Sequence, residues 1–426
     1  MSRAKLIKKS KSGFSIQINF DFSKSMINAE QNILKGLNDA GVIATREVLS
    51  QFDTDGSSIK IGNQTFTSKG QFEKKYQTPF GETKILRHVY QSHSGGKTYC
   101  PLEQDARIVV TSTPRFAKIV SSKYSFGSTE YVKQDLLDNH DRPTHRKTLQ
   151  TISEAVASVA LAKETTWEYL PDPEELEAVD ILSFGLDGTC MQMRNDGWRE
   201  AMTGTITLYN KKGDRLHTSY LAAPPEYGKG AFLEKLEESI NKYKILFPNT
   251  TTVGLADGAR NNWSFLKNLS NYQVIDFYHV TGYLGSYSKT VYKNISEQKE
   301  WLDSACHDLK NKHGSAMRLL HEIEEESQRK HKKKDQDVIE QVLTYFKNNV
   351  EKMKYKKMID MNAPIGSGVT EAACKVIVKE RMCKAGMRWK KDGAQMVLKL
   401  RTMNQTNGHW EHFWNRVDQF GFELAA

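Results

Sequence analysis

Between Val179 and Val280 the chain switches between two hydrophobic periods in an order that few folds accommodate. Three β-rich runs follow one another, VDILSFGLDGTCMQM, REAMTGTITLYN and RLHTSYLAAPP, with a turn signal at Lys212-Gly213-Asp214. An amphipathic helix then covers Gly230 to Tyr243. A fourth strand, TTVGLADGA, leads into a helix near Asn261-Asn262-Trp263, and NYQVIDFYHV closes the series. Strands joined directly pair antiparallel, whereas strands separated by a helix return parallel. The expected fold class is α/β, a mixed five-stranded sheet with flanking helices.

The flanks read differently. Residues 1–22 are lysine-rich and are expected to form a basic flexible arm. Residues 23–105 open with a helical pattern (Met26, Ile33, Leu34, Leu37, Val42) and continue as short β-rich runs split by Gly62-Asn63 and Gly95-Gly96, a small β-meander. Residues 106–165 read as helices, with an N-cap at Ser128 and a turn at DRPTH. The pair is open to two readings: a helix-turn-helix that places Arg146 and Lys147 at DNA, or an ordinary helical hairpin. An acidic, proline-bearing linker (PDPEELE) separates this N-terminal α+β region from the sheet. The first part of the sheet-bearing core is expected over 178–285, a charged helical insertion over 286–360, and the core's C-terminal helices over 361–426. The insertion holds EIEEE beside RKHKKK, a block usual for a solvated helical face.

Lys and Arg number 61 against 51 Asp and Glu, a net charge of +10. Phosphate neutralisation with counterion release is the commonest reason for such an excess, though a basic soluble surface gives the same count. No apolar run approaches the roughly 18 residues needed to cross a bilayer, and no apolar segment follows the N-terminal lysines. The cytoplasm is the expected compartment, with no membrane partner. The five cysteines are odd in number and none are spaced C-x-x-C, so neither a disulfide framework nor a zinc ribbon is expected.

Three acids stand out by position. Asp187 (FGLDGT) and Asp257 (GLADGA) read as the carboxyl ends of the first and fourth strands, each followed by a glycine. Open α/β sheets carry their working groups at such ends. Glu371 opens a helix directly after a Gly-Ser-Gly loop in GSGVTEAACK. Carboxylates converging from two strands and a helix would make an oxygen cage suited to Mg²⁺. Asp-Gly turns and first-turn glutamates are also common without any ligand.

The phrases FGLDGT, ADGARNNW, DFYHV and GSGVTEAACKVIVKERMCKAGMRWKKDGAQMVLKLR resemble the ISKra-type family of bacterial insertion-sequence transposases, over about Asp180 to Asn404. The resemblance implies a DDE transposase with an RNase H-like catalytic domain. Its metal-binding acids would be Asp187, Asp257 and Glu371, holding two Mg²⁺ ions that Mn²⁺ could replace. The longer interval, between the second and third acids, leaves room for the helical insertion. DFYHV resembles the family's D-x-x-H element, so His279 would contact the scissile phosphate or orient a metal ligand; a satisfied buried histidine is the other reading. Lys375 and Lys379 follow Glu371 by one and two helical turns and would hold phosphates beside it, with Arg381, Lys384 and Arg388 further along and Arg260 in ADGARNNW. Trp263 and Trp389 could stack on an unpaired base or pack in the core.

The activity implied is binding of an element's terminal inverted repeats, Mg²⁺-dependent strand cleavage, and strand transfer into target DNA. It would be carried out by a homodimer or larger assembly at the bacterial nucleoid. A relative that only binds DNA, and a stand-alone nuclease of the same fold, are the rival readings. Sequences of this group often carry cysteine pairs in the N-terminal β region; here only Cys100 stands there.

Overall fold

The computed structural model describes residues 3–226, 229–258 and 260–422. The chain divides into two compact units, the first comprising Met1–Tyr169, Lys399–Asn404 and His409–Ala426, and the second Leu170–Leu398 with Gln405–Gly408. The division at residue 169 falls at the start of the acidic linker. Of the expected C-terminal helices, 361–398 and 405–408 stay with the sheet's unit, while Lys399–Asn404 and the stretch from His409 onward fall in the first unit, where Trp167 lies against Phe413 (5.9 Å between ring centroids) and Phe420 (6.2 Å).

In the first unit, β1 (Ala4–Lys9) and β2 (Phe14–Ile18) pair antiparallel. The expected flexible arm is therefore a hairpin: Phe14, Ile16 and Ile18 alternate with Ser15 and Gln17, a period of two that the surrounding lysines mask. The hairpin packs on α1 (Met26–Leu49), and Lys9 reaches Glu47 at 2.7 Å. The meander follows as expected, in the order β3 (Ile59–Ile61), β4 (Gln64–Gln77), β5 (Glu82–Ser92) and β6 (Gly95–Tyr99). Beneath it α2 (Pro101–Asp105) completes a small core of Leu49, Tyr76, Ile85, Leu102, Ala106 and Ile108. Glu103 of α2 gathers Lys74 (2.8 Å), the Tyr76 hydroxyl (2.6 Å) and Arg87 (3.1 Å) on one carboxylate oxygen. Three helices complete the unit's middle: α3 (Pro114–Phe126), α4 (Thr129–His140) and α5 (Arg146–Ala162).

The second unit is built on β7 (Val179–Met193), β8 (Gly197–Asn210), β9 (Arg215–Ala223), β10 (Thr251–Ala256) and β11 (Tyr272–Ile275), in the spatial order β11-β10-β7-β8-β9. The first three pair antiparallel, while β10 runs parallel to both β7 and β11. The succession of strands, with an antiparallel and a parallel portion, is the one read from the sequence. Both faces are covered, which is why β7, β8 and β10 are buried over long unbroken runs instead of alternating.

Two glycines show how the layers form. In the β7–β8 register Gly185 faces Thr205 and Leu186 faces Gly204. A Cβ on Gly204 would stand 3.0 Å from Leu236 and 3.2 Å from Phe232 of α6 (Gly230–Leu246). A Cβ on Gly185 would stand 2.5 Å from Thr370 of the helix that carries Glu371. Neighbouring residues of a strand point to opposite faces, so α6 and the Glu371 helix cover opposite sides of the sheet. Next along the chain come α7 (Arg260–Leu266), α8 (Phe277–Val291), α9 (Ile295–Asn311), α10 (Ser315–Ser327), α11 (Lys333–Asn349), α12 (Tyr355–Asp360) and α13 (Gly368–Ala373). The insertion shares the sheet's core through Leu309, Leu319, Ile323, Val342, Phe346 and Met358. Among the described residues no helix is long and apolar enough to cross a membrane.

Candidate metal centre

Sheet register places the acids. The last β10–β7 pair is Leu255↔Gly185, and the last β10–β11 pair is Ala256↔Ile275. Continued along the chains, Asp257 falls level with Asp187 on one side and with Asp276 on the other, so three aspartates occupy one rung across three adjacent strands. Asp187 lies two residues beyond Gly185, on the face that Glu371's helix covers. It is not at a strand end, as expected from Asp-Gly: β7 pairs on with β8 through Asp187↔Thr203 to Met193↔Gly197. What ends at this level is the parallel partner β10, which leaves Asp187 beside an open edge.

Glu371 arrives through a set of close contacts. Thr370 is buried, and its hydroxyl meets Thr205 at 2.7 Å, fixing α13 to the sheet over Gly185. The preceding loop is held from the other side. Asp276, 1% exposed, accepts from the Ser367 backbone N–H (2.5 Å) and hydroxyl (2.9 Å) through Oδ2, and from the His279 N–H (2.8 Å) through Oδ1. The Ser367 hydroxyl also lies 3.0 Å from Glu371 Oε1, and His279 Nε2 lies 3.4 Å from the same oxygen. Asp276 therefore ties the start of α8 to the loop that presents Glu371. Sequence reading gave Asp276 only as the first residue of the D-x-x-H resemblance and the Gly-Ser-Gly loop only as the run before Glu371, with no link between them.

Asp187, Asp257, His279, Glu371 and Lys379 line one cleft of about 360 Å³. Burial pushes the Asp187 carboxyl above its ordinary value; hydrogen bonds from the Gly188 N–H (2.7 Å) and the Cys374 thiol oppose this, and the charges of Asp257 and Glu371 add to it. Burial likewise pushes the Cys374 thiol up, to about 12, with Asp187 beside it, so Cys374 stands as a neutral donor to the carboxylate. Asp276, His279 and Glu371 also bring ligand atoms within 4.8 Å of one another. With both Asp276 oxygens already accepting hydrogen bonds, that residue serves as a brace, leaving His279 and Glu371 to face the cleft.

A hard divalent cation fits this donor set. Three carboxylates share a cleft, and the Asp187 carboxyl is raised chiefly by burial and further by its neighbours' like charge, a situation that a cation relieves.

The residues expected at DNA fare unevenly. Lys379 reaches the cleft, while Lys375 is exposed and is not among the residues that line it. Arg381 is a correction: it is 2% exposed, its guanidinium 5.2 Å from the centre of the Trp389 ring. Trp389 is also a structural residue. Its indole N–H donates to Met382 O (2.8 Å), and its backbone exchanges hydrogen bonds with Gln192 and Arg194 at the end of β7. Lys384 and Arg388 are exposed. Trp263 is buried, 7% exposed, with Lys352 Nζ 5.1 Å from its ring centre. The side chain of Arg260 lies outside the described residues.

Arg146 and Lys147 belong to the first unit and stand exposed in the first turn of α5, Arg146 3.4 Å from Glu130. Beyond its second turn α5 is buried on most sides, from Ile152 to Ala160. The turn before it is pinned by Arg142, which donates to Thr78 O (3.0 Å) and Gln77 (2.7 Å). Only the opening of α5 is free to meet a groove.

In comparisons with known proteins, no family model matches the chain, and no curated protein matches it.

Proposed function

We propose that the protein is a DDE-type transposase of RNase H-like fold, which binds the terminal repeats of an insertion sequence and cleaves and rejoins DNA at its ends. The observation that carries this reading is the cleft in which Asp187, Asp257 and Glu371, from two adjacent strands and the helix over them, meet with His279 and Lys379. Asp187, Asp257 and Glu371 would hold the metal. A pair of Mg²⁺ or Mn²⁺ ions bound there supplies activation of a water or 3′-hydroxyl and stabilisation of the departing oxygen.

The chain's own residues do the rest. Asp187 and Asp257 are set at one level by the β7–β10 register, so the substrate phosphate is received on a rigid edge. Asp276 holds the Ser367 loop against α8 and so orients both Glu371 and His279. His279, exposed at the cleft, is placed to contact a phosphate oxygen, and Lys379 adds a positive charge on the same side. The nucleophile's oxygen forms a bond to phosphorus as the bridging oxygen leaves, and no bond to the protein forms.

The test is incubation of the purified protein with a labelled duplex carrying the element's terminal repeat and Mg²⁺, beside Asp187→Asn, Asp257→Asn and Glu371→Gln. Nicking or joining at the repeat boundary, lost in all three variants while binding persists, is the expected result. A variant that cuts like the wild type removes that residue from the metal set. Binding without cutting by the wild type leaves a DNA-binding protein, and cutting without end preference or joining leaves a nuclease.

A further inference from the structure

Residues 1–20 hold five basic residues (Arg3, Lys5, Lys8, Lys9 and Lys11) and no Asp or Glu. The β1–β2 hairpin sorts them onto two faces. Ala4 pairs with Ile18 and Leu6 with Ile16, and Ile18 lies against α1, where a Cβ on Gly36 would stand 3.1 Å from it. Two of the cations are engaged on α1 as well: the Arg3 guanidinium donates to Asn32 O (2.9 Å), and Lys9 reaches Glu47.

The outer face holds the alternate residues of each strand, Lys5 opposite Gln17 and Lys8 opposite Ser15, all four exposed. A β-bulge between Leu6 and Lys8 decides this arrangement. Regular pairing would set Ile7 against Ser15 and turn Lys8 inward. The extra residue brings Lys8 out and sends Lys9 to α1. Lys11 stands exposed at the turn. Among the described residues Lys5, Lys8 and Lys11 have no carboxylate partner. Three unpaired cations on one ribbon, with no acid on either strand, complement a polyanion.

We propose that the β1–β2 hairpin is a DNA-binding ribbon whose outer face lies in the major groove of a duplex. Two strands about 4.8 Å apart, with their side chains, fit a groove about 12 Å wide. Lys5, Lys8 and Lys11 meet phosphates along the groove. Gln17 and Ser15 face the base edges, where an amide and a hydroxyl can each donate and accept. A single strand or a membrane surface offers phosphates but no such groove. The site rests on the reading of the protein as one that acts on DNA, and assigns the first unit a grip on the duplex.

The experiment measures the affinity of the full chain, without divalent metal, for a mixed-sequence duplex, for its separate strands and for phosphatidylserine vesicles, over a range of salt. Each lysine that meets a phosphate adds about 0.9 to the slope of log affinity against log salt. The triple variant Lys5→Gln, Lys8→Gln, Lys11→Gln is therefore expected to flatten the duplex slope by about 2–3 and to bind roughly tenfold or more weakly. Its far-UV circular dichroism should be unchanged, since all three side chains are exposed. Lys9→Gln, which leaves the outer face intact, should keep the wild-type slope. The wild type should prefer duplex to single strand, and the triple variant should lose most of that preference. A triple variant with the wild-type slope overturns the proposal, as does an equal loss on single strands or a loss confined to vesicles. The two readings fail separately: Mg²⁺-dependent cleavage by a triple variant that binds like the wild type sinks the ribbon alone, and a flattened slope in a protein that never cuts sinks the enzyme reading alone.

Discussion

Each unit of this protein draws a carboxylate out of water, and the two are treated in opposite ways. Glu103, in the first unit, is raised by burial, but hydrogen bonds from Lys74 and Tyr76 and the charges of Lys74 and Arg87 outweigh it, leaving the carboxyl below its ordinary value. Asp187, in the second, is raised by burial and raised further by Asp257 and Glu371, against only the Gly188 N–H and a thiol. Glu103 is complete within the chain. On the proposed reading, Asp187 would be completed by a cation from outside. Partnered burial marks a structural brace, and burial among like charges marks a place kept for something else.

The largest expected difference is in chemistry. Asp257→Asn or Glu371→Gln should lower Mg²⁺-dependent strand cleavage by roughly 10³-fold or more, whereas Glu103→Gln should leave the rate within about threefold wherever the variant is folded. Equal losses in single-turnover assays would erase the distinction.

Stability should show the reverse. Glu103→Gln removes a charged acceptor from three donors, at about 2 kcal/mol, and should lower the melting temperature by about 4–8 °C at pH 7. Its folded pKa is depressed, so its contribution is present above the unfolded value and is lost as pH falls through the folded one. The gap between variant and wild type should therefore close on acidification below pH 4. A gap that stays constant in calorimetry would show that packing, not charge, is at work.

Asp276→Asn probes the brace between the two kinds of site. Loss of a well-placed outer partner should raise the Mg²⁺ concentration for half-maximal cleavage about 10–100-fold. A lower rate with unchanged Mg²⁺ dependence would count against it.

The smallest effect has the opposite sign. The folded pKa of Asp187 is raised, so its stabilising contribution is lost as pH rises through that value, and the ionised form strains the fold at neutral pH. In EDTA, Asp187→Asn should melt about 2–4 °C above the wild type at pH 8, with the difference narrowing toward pH 4. Added Mg²⁺ should restore the wild type and do nothing for the variant. A variant that melts lower in EDTA would refute the account of a charge strained by burial and by its neighbours.

What was legible in the sequence followed from local period and spacing. The succession of β7 to β11, the meander, and Asp187, Asp257 and Glu371 as candidate acids came from runs a few residues long, while His279 came only from the family resemblance. What was not legible depends on segments that meet late. Arg381 reads as a basic helix residue until Trp389, returning along β7, puts an indole beneath it. Residues 409–422 read as a continuation of the core until Trp167 and Phe413 meet. Asp276 and Ser367 stand 91 residues apart, and nothing in either neighbourhood announces the other.

The common rung of Asp187, Asp257 and Asp276 has a consequence for biosynthesis. A slip of one residue between β7 and β10 would turn one of these acids to the far side of the sheet. Glu371 is translated long after the strands it must join. A nascent chain, a truncated product or a mispaired sheet therefore holds at most part of the cage. If the protein does cut DNA, this geometry is a safety catch: the correctly folded second unit alone is armed.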